Sequence, residues 1–511
     1  MSNLPLTAPG QRFEQPEAVR KIMCLVPGDT ANSGILYVQS ESIPPVVAFQ
    51  RRLAANDFRY EVKTVTSQTI ANLYKANNNN EASSTQLTAK ELFKYGADRK
   101  GSDVLIITDK EKGTAFYMRI LGDLYEMKDM TMNFEDGKQL QNSIYQSMSK
   151  EHSTTSYEDF SFMGSRITDR NILPEQLDSI RVGTGPLIND GQLMSLRLQE
   201  KQVQGVTLAE LGVPELQRKS LAFLQSIPNG IVVVTGPTGA GKTTTLKVLM
   251  DMIIEQSQGK KHVLTIEDPA EYPIEGANQL KVVQGKTGDE DMFNEAVKGS
   301  LRLDPDTILI GEVRDSETAN LAFRAAMTGH QVFTSLHAIN ALGALSRLMD
   351  LGVPDYLVTD PAILRGITAQ RLVKTLCPHC KVKFEDQEKN IEGEKKRRLF
   401  SVIGAEDIDN VFVANPCGCD KCINGFNGRT LVVEVLVTDQ VLMSHVKNKD
   451  MMLALDYLRG KKGYQTMIDV AIAKIKSGEL DPFEVEHHVG PLDLQILEKD
   501  HHIDSDELKR H

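Results

Sequence analysis

Little in this chain suits it to a bilayer or to export. No apolar run approaches the roughly 18–20 residues that a membrane span requires. The N-terminus, Met1-Ser2-Asn3-Leu4-Pro5, lacks the basic region and apolar stretch of a secretory signal. Both absences predict a protein that stays in the cytoplasm and touches a membrane only peripherally. Positive charge is not in surplus either. Lys and Arg number 58 against 69 Asp and Glu, a net charge of −11, which argues against a protein that coats nucleic acid. Cysteine is scarce: there are 6, and five of them lie between Cys377 and Cys422. In a cytosolic chain such a cluster favours metal over disulfides. Cys24, alone in an apolar strand-like run, reads as an inert core thiol. No internal repeat is found.

What is present is the composition of a globular protein, 41% hydrophobic and 25% charged over 511 residues. That length suggests three or four domains. Residues 1–76 read as a small αβ module, with strands at Ile22–Val26, Gly34–Val38 and Tyr60–Val65. Its helix at Pro44–Asn56 carries proline in the first turn. The polar stretch Asn77–Thr85 reads as a linker. A second αβ unit spans 86–200, with helices at Ala89–Ala97 and Gly137–Lys150. Its strands are expected at Val104–Thr108, Thr114–Ile120, Asp159–Ser165, Ser179–Thr184 and Gln192–Leu198. Residues 206–369 alternate strand and helix. The cysteines fall in 370–436, around a charged, helix-prone insert at Glu385–Arg398. From 437 to 511 the chain reads as mainly helical, ending in a polar tail from Leu492.

Gly236-Pro237-Thr238-Gly239-Ala240-Gly241-Lys242-Thr243 is a complete G-x-x-x-x-G-K-[ST] phosphate loop. It follows the buried-strand pattern Ile231–Thr235 and runs into a helical pattern from Thr244, the context the motif requires. Glycines let backbone N–H groups turn toward phosphates. Lys242 is expected on the β- and γ-phosphates, and the Thr243 hydroxyl on Mg²⁺, with Thr244 also at the nucleotide.

Two acidic patterns follow. Asp306–Glu312 is an apolar strand that delivers Glu312, about 70 residues beyond the loop, where parallel strands bring their ends to one edge. Thr265–Pro273 delivers Glu267 in the same way. Phosphoryl transfer to water needs a group that positions the nucleophile, and both acids qualify. Glu312 also has a structural reading as a partner of Arg314. Thr328-Gly329-His330 and Thr334-Ser335-Leu336-His337 place two histidines around one short strand. Either His330 or His337 is a candidate to contact the γ-phosphate and report hydrolysis.

Cys377-Pro378-His379-Cys380 and Cys419-Asp420-Lys421-Cys422 give C-x₂-C…C-x₂-C, four thiolates for a closed, structural Zn²⁺ site. Cys417 is a surplus thiol that leaves the third ligand open. A redox role is the weaker alternative, since thiol exchange needs one such pair.

With these residues in order, the chain resembles the secretion ATPases of type II secretion and type IV pilus assembly, the GspE/PilB-like family. The matching stretches are Gly236–Thr245, Thr265–Pro273, Asp304–Asp315, Thr328–Ala338, Gln370–Lys381 and Gly418–Arg429. They look like the family's Walker A, Asp box, Walker B, His box and zinc-binding segments. The resemblance implies a multidomain α/β architecture: a RecA-like P-loop core, a PAS-like αβ N-terminal domain, a small N1-like module and a zinc-binding C-terminal segment. Ser179–Val182 and Leu196–Leu198 are similar to family segments that carry arginines to the nucleotide. Arg181 and Arg197 are therefore expected to stabilise charge there, with Arg166 and Arg170 as weaker candidates. The resemblance further implies a homo-hexameric motor that hydrolyses ATP with Mg²⁺. It would act at the inner membrane through a polytopic platform protein to assemble a pilus or secretion pseudopilus. The cysteine segment leans toward the assembly branch, and the divergent N-terminal half toward a thin pilus of a conjugative system. The rival readings are a nucleic-acid translocase on the same core and a nucleotide-gated scaffold without useful hydrolysis.

Overall fold

The computed structural model describes residues 5–493, apart from 8–10, 29, 31, 151–160, 189, 202–204, 283–288, 405 and 462. The polar tail expected from Leu492 thus lies almost wholly outside the described residues. The chain divides into two compact units, Met1–Lys201 and Gln202–His511.

In the first unit, β1 (Met23–Pro27), β2 (Ser33–Val38) and β3 (Arg59–Thr64) form a small sheet in that order. β2 and β3 are parallel, joined by the helix Pro44–Ala55, which buries Val46, Phe49 and Leu53 on one stripe. These side chains pack with Phe13 and Phe58 into the module's core. A helix of 32 residues, Ser67–Asp98, follows, capped by the Thr66 side chain. It runs through Asn77–Thr85, where the polar composition predicted a linker. That stretch holds neither glycine nor proline, so helix continuation there costs only tenths of a kcal/mol per residue, about 0.7 at most. Beyond it, Ala89, Leu92, Phe93 and Ala97 are buried at helical spacing.

The second sheet of this unit holds β4 (Gly101–Asp109), β5 (Gly113–Ile120), β6 (Asp123–Met132), β7 (Met163–Ile167), β8 (Leu177–Pro186) and β9 (Gln192–Glu200), in the order β6-β5-β4-β9-β8-β7. All its pairings are antiparallel. β6 was not expected: it is an edge strand whose mostly exposed, charged residues blur the two-residue period. The helix expected at Gly137–Lys150 starts at Phe134, because the Asn133 side chain caps it, and ends at Asn142 in a π-helical turn, Ser143–Met148.

The second unit is built on seven strands. β10 (Gly230–Thr235), β11 (Val263–Glu267), β12 (Ala277–Lys281), β13 (Thr307–Ile310), β14 (Gln331–Leu336), β15 (Leu364–Leu376) and β18 (Phe426–Val437) lie in the order β12-β11-β13-β14-β10-β15-β18. The pairings are parallel except that of β15 with β18. Both faces are covered. Ile231, Val233, Ile308, Ile310 and Val332 enter one core, while Val232, Val234, Leu309 and Phe333 enter the other. This explains the unbroken apolar runs that marked the strands. β15 crosses the boundary expected at residue 369. It pairs with β10 up to Ala369 and then continues with β18 as a two-stranded hairpin. The short strands β16 (Val382–Lys383) and β17 (Phe412–Val413) and the helix Gly393–Val402 occupy the hairpin's tip. Four helices, Gln440–Lys447, Met451–Gly460, Met467–Lys476 and Pro482–His488, complete the unit.

Candidate functional site

The phosphate loop leaves β10 at Thr235 and enters the helix Lys242–Ser257. Gly236 has φ +155, and a Cβ there would sit 2.6 Å from the Gln370 carbonyl oxygen. Only glycine fits that approach. Gly241, the residue before the helix, is left-handed and supplies no side-chain cap. The first-turn N–H groups are thus free of a side-chain acceptor, the arrangement that receives phosphate at a helix start. Lys242 Nζ folds back onto the Gly236 and Pro237 carbonyls at 2.8 and 3.3 Å. Burial pulls this ammonium below its ordinary value; Glu312 opposes that and Arg371 adds to it. Gln370, buried, donates from Nε2 to the Ala240 carbonyl at 2.7 Å. Thr243 and Thr244 are half-buried on the first turn, a hydroxyl pair compatible with a phosphate-bound cation.

Parallel strands bring the acids to the same sheet edge. β14 lies between β10 and β13, so the two motif strands are next-nearest rather than adjacent. Glu312, two residues past β13, lies 3.0 Å from His337 Nε2 and faces Arg314 Nη2 at 3.2 Å. The structural reading of the Glu312–Arg314 pair therefore also holds, with an arginine that is mostly exposed. Ser335 Oγ donates to the Gly311 carbonyl at 2.6 Å and fixes the bend before Glu312. Glu267 ends β11, and its Cγ lies 3.1 Å from where a Cβ on Gly311 would be. It accepts from Thr265 Oγ1 at 3.2 Å and Gln279 Nε2 at 3.5 Å. Burial pushes its carboxyl up, partly offset by these two donors. The two acids thus differ in their neighbours: Glu312 lies beside Arg314 and His337, and Glu267, partly buried, beside Thr265 and Gln279.

The histidines separate. His337 follows β14 and joins Glu312 at the carboxyl edge. His330 precedes β14, so the expectation of a γ-phosphate contact from it is corrected: it lies at the opposite edge, about 20 Å away across six residues of strand. There its Nδ1 is 3.0 Å from the Ala325 carbonyl and 3.2 Å from Thr328 Oγ1, and its carbonyl accepts from Gly230 N–H at 3.1 Å.

Arg181 and Arg197 belong to the first unit. Arg166, Arg181 and Arg197 stand directly opposite one another across β7, β8 and β9. Arg197 Nε is 3.1 Å from Asp103. Arg166 is engaged by Ser179 at 2.9 Å and Gln199 at 3.1 Å, and Arg170 donates to the Leu177 carbonyl at 2.7 Å.

The cysteines converge at the base of the hairpin tip. The Sγ atoms of Cys377, Cys380, Cys419 and Cys422 all lie within 4.8 Å of one another. Three of the separations are 3.8, 3.5 and 3.6 Å. A tetrahedron with Zn–S bonds of about 2.3 Å has S···S edges of about 3.8 Å, so the donor set fits zinc. Cys417 is exposed and outside this group, and Cys419 is the third sulfur. Cys24 is buried, its thiol pushed up to about 12 by desolvation, in keeping with an inert core residue.

Reading motifs alone passed over the part played by Gln370 and Gln279. Gln370 was visible only as part of a resembling stretch, since nothing local reveals that its side chain reaches back to residue 240.

A glycine loop between a buried strand and a helix, with acids on the same edge of a parallel sheet, defines a P-loop nucleoside-triphosphate-binding protein. The family model described as Type II/IV secretion system protein matches residues 164–487, and the chain belongs to that family. It is 38% identical over 285 residues to Type II secretion system protein E of Dickeya dadantii, covering 55% of this chain and 53% of that protein. It is 36% identical over 272 residues to Type II secretion system ATPase E of Vibrio cholerae, covering 53% and 50%. The chain thus matches about half the length of these relatives. Its fold is similar to that of the ATPase DotB of Legionella pneumophila (TM-score 0.55, 21% identity, covering 76% of this chain and 91% of that one). It is also similar to that of the pilus retraction motor PilT with bound ADP (TM-score 0.51, 24% identity, covering 83% and 99%).

Proposed function

We propose that this protein is an ATP-hydrolysing motor of a secretion or pilus-assembly machine. The observation that carries the reading is the meeting of Lys242, Glu312 and His337 at one sheet edge, with Glu267 packed behind them. Lys242 leaves the loop carbonyls for the β- and γ-phosphates, replacing two weak acceptors with charged ones. Glu312, held by His337 and Arg314, orients the water that attacks the γ-phosphorus. Glu267, whose carboxyl burial pushes up, lies against Gly311 and is the second candidate to position that water. When nucleotide is bound, Mg²⁺ neutralises phosphate charge, and Thr243 is the residue to hold it. Arg181 and Arg197 are the arginines proposed to add charge stabilisation, within a homo-hexamer. The four thiolates hold a structural Zn²⁺ and take no part in the chemistry.

Loss of γ-phosphate rocks the domains, and that motion drives a polytopic platform protein at the inner membrane, which adds pilin-like subunits. Membership of the secretion family supports this, as does the name of the ATPase relative. No helix among the described residues is long and apolar enough to cross a membrane. The test is Lys242→Ala. ATP turnover and assembly of the pilus or pseudopilus are expected to vanish while bound zinc is retained. Normal assembly by this variant would sink the motor reading.

A further inference from the structure

Leu336 and Ala341, on either side of the segment carrying His337, are buried in the core and Ala338 packs against it, while Ile339 is 77% exposed. Polar groups fix the backbone between them. The Ala338 carbonyl accepts from Thr235 Oγ1 at 3.4 Å, a long bond from the last residue of β10. The Ile339 carbonyl accepts from Arg371 Nη2 at 2.7 Å. Then Ala341 N–H, which opens the helix Ala341–Asp350, donates to Glu434 Oε1 at 2.6 Å.

Arg371 and Glu434 both come from the β15–β18 pair beside the phosphate loop. Glu434 stands opposite Ala369 in register, and Arg371 follows Gln370, the residue that props Ala240. Arg371 Nη1 also donates to the Gln370 carbonyl at 3.0 Å, the oxygen that abuts Gly236. The guanidinium therefore bridges two carbonyls, one against the loop and one just after His337. Glu434 is only 4% exposed. Its second oxygen accepts from Met467 N–H at 3.2 Å, the start of the helix Met467–Lys476, and the Tyr464 phenol also bonds it. Burial pushes its carboxyl up, against the pull of the two N–H donors and of Arg371. A carboxylate shared by two helix starts is favoured by both dipoles. It is a costly group to bury for mere packing, because an apolar side chain would fill the same space without desolvation.

We infer that Arg371 and Glu434 form a positioning clamp, one on the carbonyl of residue 339 and the other on the N–H of residue 341. The clamp fixes His337, and through it Glu312, relative to the phosphate loop, and ties that geometry to the C-terminal helices at Met467. The clamp deepens the hydrolysis reading and rests on it for its kinetic consequence. Neither residue touches the reacting atoms; both act through His337.

The test uses the full chain, in steady-state ATP hydrolysis and in amide hydrogen exchange. Glu434→Gln keeps the shape but loses the charge and one acceptor. It should lower kcat about ten- to a hundredfold, the scale expected for a misplaced catalytic group, with KM changed less than about twofold, since the phosphate loop itself is intact. Exchange should quicken at the amides of 340–343 while those of β10 stay protected. Arg371→Lys keeps charge but cannot bridge two carbonyls in one plane; it should move kcat in the same direction. The double variant should be little worse than the poorer single, as for residues acting as a unit. Unchanged kcat in Glu434→Gln, or faster exchange spread across the whole sheet, would overturn the clamp. If Glu434→Gln does not fold, Arg371→Lys carries the same kinetic and exchange test from the other arm. Should the unaltered chain hydrolyse no ATP, the functional reading fails, while the exchange pattern still decides whether the clamp exists.

Discussion

The phosphate loop, which leaves β10, and the cysteine cluster both meet β15, through Gln370 and Cys377, yet are made in opposite ways. The loop is backbone: glycines at 236 and 241 set its course, and Gln370 supports it from below. Its one charged side chain, Lys242, rests on carbonyls that it can leave. The cluster is side chain: four sulfurs already at the spacing of a metal tetrahedron. The first is poised to exchange partners and the second to keep them. The comparison teaches that on this chain a movable site and a fixed one are told apart by what holds the ligand atoms, not by their distance along the sequence.

The sharpest way to break the comparison is to remove the mobile cation. Lys242→Ala should reduce ATP turnover to background, measured as phosphate release, while zinc content stays at the wild-type level. Next in size is the fixed site. Cys419→Ser should lose zinc by metal analysis and lower the unfolding midpoint, since one thiolate fewer opens a closed site. If it left both unchanged, the four sulfurs would not be a metal site. A smaller contrast lies between the histidines. His337→Ala should lower kcat about tenfold or more, because Glu312, which it contacts, would lose part of the roughly 10²–10⁴ that a positioned acid–base group supplies. His330→Ala should leave kcat within about twofold and cost only stability. Equal kinetic losses would contradict the separation of the two sheet edges.

The smallest expected effect concerns Glu267. Its carboxyl is raised by burial, so folding favours the protonated form. Stability from that form is fully present below the ordinary carboxylate range and is lost as pH rises through the folded value. Glu267→Gln should therefore raise the thermal midpoint at neutral pH and make no difference below the ordinary carboxylate range. A pH-independent difference would mean that Glu267 is not desolvated as described.

The sequence displayed most clearly whatever is local. The loop, the paired cysteines and the strands feeding Glu267 and Glu312 are short patterns, and the structure puts loop, sulfurs and strands where those patterns lead. Three things were hidden for three reasons. Histidines 330 and 337 look equivalent in a line, but a six-residue strand between them sends one to each edge. Asn77–Thr85 has loop composition but no residue that stops a helix. Gln370, Arg371 and Glu434 act on residues 32 to 130 positions away, which the pairing of β15 with β10 on one side and β18 on the other brings near.

The hairpin that carries the cysteines has one further consequence. Its two strands are zipped from Gly366↔Val437 to Leu376↔Phe426, and the knuckles fasten the end of the zip. The stretch between the knuckles is folded back rather than left free: Phe384, Leu399 and Val411 enter the core that the sheet also fills, and Arg398 meets Glu486 at 2.7 Å. The fastening thus works as a rivet, joining the insert to the same frame that carries the engine.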